Sequence, residues 1–309
     1  MMRIKKRQIL LLILLIGLIG LLLQQSDPVA VFVEYIKFVL LGIIGAIFAN
    51  ATGAGGGVIF VPIFNQLNLA STEIVATSFA IQCFGMVAGS IAWRDQYLTA
   101  LQNPNVYPTE HRSIWIVLPR LLLITIPFSL AGLWTVQYSP LLELIEQADD
   151  RLHWIFGTFS ILLAGAIFAS LSRLKAKEQA QAISRFDSIA LAFIAYVGGM
   201  ITAWLSVGVG ELVAVYLILR RFSVTLSIAV AVMLSAMTVW GGIGYYVLAD
   251  ILNNNASIIY PIAGFAGVGA IVGGTVAKSV VLWLKPYQIK VFFAGWVMLM
   301  GIANMPIFN

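Results

Sequence analysis

The chain has 309 residues, 61% of them hydrophobic and 10% charged, with a mean hydropathy of +0.96, whereas an ordinary soluble domain carries about 25% charged residues. Eighteen Lys and Arg against thirteen Asp and Glu give a net charge of +5, too thinly spread for the basic face that binds nucleic acid. One cysteine, Cys83, and two histidines, His111 and His153, exclude a disulfide framework and a multi-cysteine metal centre and leave little for zinc, so no metal or cofactor is expected.

At roughly 30 residues per crossing with its loop, this length allows about seven to ten membrane segments in one integral unit. The first is the apolar run 9–23, preceded by Arg3, Lys5, Lys6 and Arg7. That order suits a signal peptide as well as an anchor helix. The following Gln24, Gln25, Ser26, Asp27 and Pro28 hold no small-x-small cleavage pair, which favours a retained helix with its N-terminus in the cytoplasm. Further stretches that span about 30 Å of hydrocarbon are 74–93, 114–136, 154–171, 224–249, 258–281 and 289–308. Trp93, Trp115, Trp134, Trp154 and Trp283 fall at their ends, where lipid-anchoring aromatics are expected.

Two stretches do not read as plain helices. Residues 32–64 are interrupted by Gly53, Gly55, Gly56 and Gly57, and residues 188–219 by Gly208 and Gly210. Charge orients them. Arg94 and Arg112, Arg173, Lys175, Lys177 and Arg185, Arg220 and Arg221, and Lys278, Lys285 and Lys290 are read as cytoplasmic. Residues between Arg185 and Arg221 then enter the membrane and return, which makes 188–219 a re-entrant hairpin open to the cytoplasm. By the same reasoning 32–64 opens outward. Each hairpin is followed by three crossings, and an odd number inverts the second unit relative to the first. The expected architecture is an all-α polytopic membrane protein with about seven transmembrane helices and two glycine-broken re-entrant hairpins. It divides into an anchor helix (1–28), a first repeat (29–172), a cytoplasmic linker (173–187) and an inverted second repeat (188–309). The register aligns Gly53-x-Gly55 with Gly208-x-Gly210, Val75-Ala76 with Val230-Ala231, and Pro119 and Ala131-Gly132 with Pro261 and Gly273-Gly274.

A broken helix survives in hydrocarbon only where it is buried in protein or lines a wet cavity. Glycines let the backbone approach a ligand, and the helix that begins after them offers free N–H groups and partial positive charge. Two such half-helices meeting at the repeat interface make an anion site. A lone glycine cluster is read as tight helix packing; two clusters at matching positions favour the site.

The stretch 42–78, with Gly53-x-Gly55-Gly56-Gly57, Pro62 and Ala76-Thr77-Ser78, resembles the first signature of the TauE/SafE sulfite-exporter family, and 198–220, with Gly208-x-Gly210, its second-half counterpart. The resemblance runs from about Val33 to the end and implies a permease of the cytoplasmic membrane for sulfite, thiosulfate, sulfonates or other small organic anions. In the aligned register Glu211 and Leu212 stand where the first half has Gly56 and Gly57. An ionised carboxylate at that depth costs at least about 2.5 kcal/mol unless solvated or paired. It is read either as a proton-coupling or substrate-orienting group or as a cap on its own helix.

The expected substrate contacts are Asn50, Thr52, Gly53, Gly55, Gly56, Gly57, Thr77, Ser78, Gln82, Ser206, Gly208 and Gly210, with Arg120 as a cytoplasmic anion guide or a lipid-phosphate anchor. The expected function is secondary transport of a small anion, driven by a proton, sodium or potential gradient, because no Walker phosphate loop is present. The alternatives are a membrane-embedded enzyme, for which only Glu211 is available as a deep reactive group, and a non-transporting membrane component.

Overall fold

An apolar chain that must pair all its backbone groups internally is confined to helix. The computed structural model describes residues 6–23, 27–67, 69–102, 114–143, 149–171, 182–253 and 257–303. Among them lie α1 (Lys6–Leu23), α2 (Pro28–Tyr35), α3 (Lys37–Thr52), α4 (Gly57–Asn65), α5 (Ser71–Gln102), α6 (Leu118–Gln137), α7 (Asp149–Leu171), α8 (Arg185–Leu205), α9 (Val209–Leu219), α10 (Val224–Asn253), α11 (Tyr260–Trp283) and α12 (Pro286–Ala303). Arg3, Lys5, Gln24 to Ser26, Arg112, Arg173, Lys175 and Lys177, and the last residues of the 289–308 stretch, lie outside the described residues.

Local chemistry sets the helix starts. Asp27 caps α2 by accepting from the Val29 and Ala30 amides at 3.1 and 3.0 Å, with Pro28 in the first turn. Ser184 and Asp187 form a reciprocal capping box at the start of α8.

Among the described residues, six helical runs are long and apolar enough to cross a membrane: Pro28–Thr52, Ser71–Gln102, Ile114–Gln137, Arg185–Leu205, Val224–Leu252 and Tyr260–Trp283. Trp154–Ala169, Val209–Leu219 and Lys290–Ile302 are shorter apolar helices. The first arm of each interrupted stretch, α2–α3 and α8, is therefore itself of spanning length, because the breaks fall at the ends of these helices and not in their middles. The second arms, α4 with 9 residues and α9 with 11, rise about 14 and 17 Å, roughly half a bilayer.

Helix contacts recur in matched pairs. α3 packs on α11 as α8 packs on α6; α5 meets α11 as α10 meets α6; α4 lies on α5 as α9 lies on α10; α4 touches α12 as α9 touches α7. Two further contacts, α5 with α10 and α7 with α12, join equivalent helices to each other. α1 packs on α11 outside this pattern.

Small residues bring these backbones together. A Cβ on Gly42 would run into the Ala266 carbonyl, one on Gly269 into that of Val39, and one on Gly273 into that of Ile43. Across the matching α6–α8 crossing, Gly132 meets the Tyr196 carbonyl and Gly199 that of Ser129. Trp134, Trp154 and Trp283 are exposed, as lipid anchors must be. Trp93 and Trp115 are not: both are buried, their ring centroids 6.3 Å apart. They are core residues: α5 continues past Trp93 to Gln102 with Gln96 and Ala100 also buried, and Trp115 packs beside Trp93.

Gly269→Leu or Gly132→Leu is expected to force a packed crossing apart and cost about 1–3 kcal/mol or more, read as a lowered Tm in detergent. Gly244→Leu, where a Cβ meets nothing within 4 Å, should leave Tm unchanged.

Candidate functional site

α3 stops because Gly53 adopts the left-handed conformation (φ 80°), its N–H bonded to the Ala49 carbonyl at 3.0 Å. The Thr52 hydroxyl donates to Phe48 O at 2.8 Å and accepts from the Ala54 amide at 3.2 Å. α8 stops in the same way at Ser206, a non-glycine residue at φ 58° whose N–H donates to Thr202 O at 2.8 Å. Gly208 follows at φ 141°, which strongly favours glycine. The Val209 amide donates to the Thr202 hydroxyl at 3.0 Å.

The two breaks cross at close range. A Cβ on Gly57 would run into the Ser206 carbonyl, and one on Gly210 would come within 2.5 Å of the Gly53 carbonyl. This reciprocity corrects the register read from sequence. Gly53 corresponds to Ser206, Gly55 to Gly208 and Gly57 to Gly210, a shift of two residues, and Glu211 corresponds to Val58 rather than Gly56. Gly-x-Gly occurs twice in the first motif, and the cap geometry, invisible in the sequence, selects the second occurrence.

Glu211 joins the breaks. Its carboxylate is buried, 2% exposed. Oε1 accepts from the Gly55 amide of the first hairpin at 2.7 Å, and Oε2 from the Gly208 amide of the second at 2.8 Å. Beside it, Gln82 Oε1 accepts from the Gly56 amide at 2.8 Å, while Nε2 donates to Ser206 Oγ at 2.7 Å, Ser206 O at 3.1 Å and Ser78 Oγ at 3.1 Å. The Ser206 hydroxyl donates to Ser78 Oγ at 2.9 Å. The amides of Gly55, Gly56 and Gly208 are thus all held by side-chain oxygens. The adjoining void, lined by Asn50, Gly56, Gln82 and Met86, is about 10 Å³, room for one water at most.

The junction therefore gathers Gly53, Gly55, Gly56, Gly57, Ser78, Gln82, Ser206, Gly208, Gly210 and Glu211. Asn50 borders it, its amide donating to Ala46 O at 2.8 Å and Gly85 O at 3.3 Å. Thr77 turns elsewhere, accepting from the Ile259 amide at the start of α11 at 3.0 Å. Arg120 is exposed near the start of α6 and shares no described hydrogen bond with the junction. Cys83 is buried, its thiol 3.6 Å from Val239 O.

Three features escaped the sequence reading. Thr202 looked like any threonine in an apolar helix. Ser235 in α10 is 3% exposed, its hydroxyl has no partner, and it lies against Gly210; only the corrected register shows it as the counterpart of Gln82 in α5. Asp187 accepts from Arg220 Nε at 2.7 Å and from the Tyr216 hydroxyl at 2.8 Å, tying the start of α8 to the end of α9. The Ser-x-x-Asp pattern at 184–187 was the available signal.

The sequence profile of the sulfite exporter TauE/SafE family matches residues 38–304. No curated protein and no solved structure shows a significant match. The match begins inside the first hairpin and runs through α12, covering both breaks and the helices that hold them, while α1 stands outside it. A buried pair of helix breaks in an all-helical apolar fold, covered end to end by this profile, identifies the chain as a member of the TauE/SafE sulfite exporter family, a polytopic membrane transporter and not an enzyme.

Proposed function

We propose that the chain is a secondary permease for a small anion, sulfite, a sulfonate or a related sulfur-containing or organic acid, working by alternating access around the junction of the two breaks. One observation carries this reading. Amides from both hairpins converge on a single carboxylate, so the crossing point has the donors that a pair of anionic oxygens needs.

The repeat organisation supplies the movement. Units 29–172 and 188–309, joined by a cytoplasmic linker at 173–187, are inverted in the membrane, the first hairpin opening outward and the second to the cytoplasm. The paired helix contacts support this, because inverted units can exchange conformations and so present one site to either face in turn. The basic loops set the orientation, with the N-terminus in the cytoplasm and the protein in the cytoplasmic membrane. The anion meets the amides of Gly55, Gly56 and Gly208 and the side chains of Ser78, Gln82 and Ser206. Glu211, buried among the same amides, is the group through which a proton gradient would couple; sodium is the other candidate ion. Arg120, exposed near the start of α6, draws anions to the cytoplasmic mouth.

In proteoliposomes the chain should carry sulfite, sulfoacetate or thiosulfate in a saturable manner, with a simple carboxylate as comparison. Absence of saturable flux for all of them overturns the reading. Glu211→Gln is expected to lower the rate about tenfold or more and flatten its pH dependence; wild-type rate with a wild-type pH profile would remove proton coupling at this residue. Arg120→Gln should raise the half-saturation concentration with the maximal rate kept, an effect that fades at high salt.

A further inference from the structure

Glu211 does more than cap its own helix. A cap needs only the bond from the Gly208 amide to Oε2; the second oxygen reaches into the other hairpin and takes the Gly55 amide. Both donors are neutral main-chain groups of the kind that bind oxyanions at helix N-termini. The carboxylate thus fills a position suited to a transported anion. Each amide has one hydrogen to give, so an anion can take the Gly55 and Gly208 amides only when the carboxylate leaves them; the void on the Gly56 and Gln82 side is only about 10 Å³.

Ser235 gives an independent pointer to a ligand. Its buried hydroxyl lies against Gly210 without a partner, an arrangement that is unfavourable in a packed interior. Its counterpart, Gln82, is saturated with partners from both hairpins. A carboxylate has two oxygens, and two amides satisfy them. An anion with three oxygens brings one more, and Ser235 has a donor left over.

We infer that the Glu211 carboxylate is a built-in stand-in for the transported anion, displaced from the Gly55 and Gly208 amides by the substrate's own oxygens, and that the Ser235 hydroxyl is the donor for a third oxygen. This rests on the permease reading for the identity of the anion, but not for the existence of the site. Occupation of the junction by the carboxylate keeps the crossed breaks satisfied while no substrate is bound, and loading is an exchange of one anion for another.

The test removes the stand-in. Purified Glu211→Ala should lose thermal stability, and formate or sulfite at tens of millimolar should restore more than half of the lost Tm, beyond the effect of chloride at equal ionic strength. Glu211→Gln, whose side chain still fills the space, should not respond. No restoration of Glu211→Ala by either anion overturns the inference. Adding Ser235→Ala should reduce the advantage of sulfite over formate in this rescue about tenfold; equal weakening of both would remove Ser235 from the site. If Glu211→Ala cannot be purified, infrared difference spectra of the wild-type chain decide: sulfite should perturb a carboxylate band that is missing in Glu211→Gln, and a spectrum without that band overturns the inference. Rescue without saturable flux of any anion of the panel in the wild-type chain would leave the site standing and remove the permease reading; flux without rescue would do the reverse.

Discussion

Backbone amides freed by a helix break inside hydrocarbon find no water, and each one left unpaired costs several kcal/mol. Here one carboxylate answers two of them, one from each hairpin. That bond pair sets the terms for the surrounding residues. For Glu211 to span from Gly208 to Gly55 the hairpins must cross in backbone contact, which requires glycine at 57 and 210, where any Cβ would meet the opposite break. It also requires both first arms to stop in a left-handed turn, at Gly53 and at Ser206. Ser206 is the costlier choice sterically, on the order of 1–2 kcal/mol, offset by the hydrogen bonds its hydroxyl makes with Ser78 and Gln82.

The frame around the junction is nearly two-fold, whereas the chemistry inside it is not. Matched helix pairs and reciprocal small-residue crossings hold α3 and α8 alike. Within that frame Val58 stands where the second half has Glu211, and Gln82 is answered by the shorter Ser235. The second hairpin has its two outer ends tied through Asp187, Arg220 and Tyr216. Asp187 is buried and Arg220 is 48% exposed, so the pair is anchored on the protein side and solvated on the other. Arms α8 and α9 are thereby coupled at their open end as well as at the break, which favours their moving as one body. An inverted-repeat permease needs such bodies, because alternating access is largely rigid rocking about a fixed site.

Much of this was legible in the residues. Hydropathy and the glycine runs located the long helices and both breaks, and the family resemblance rested on the same motifs that the profile covers. The register was not legible, since Gly53-x-Gly55 and Gly55-x-Gly57 are equally good partners for Gly208-x-Gly210 as strings. Which one matches depends on Ser206 taking the left-handed turn that glycine takes in the other half. Ser235 was hidden for a related reason: a serine in an apolar helix normally bonds its own helix carbonyl, and nothing in its neighbours says that this one does not. Trp93 and Trp115 lie at the edges of apolar runs, as anchors do, yet α5 extends beyond its run, so that Trp93 is buried inside the fold and Trp115 is buried against it. The sequence singled out Glu211 as a carboxylate at depth, but the two hydrogen bonds it accepts from separate hairpins belong to tertiary structure.

The most direct measurement is a cryo-electron microscopy structure of the chain in lipid nanodiscs with saturating sulfite. Ion density is expected within hydrogen-bonding distance of the Gly55 and Gly208 amides, with the Glu211 carboxylate withdrawn from both. Sulfite bound elsewhere, with Glu211 still bridging the two amides, would contradict it.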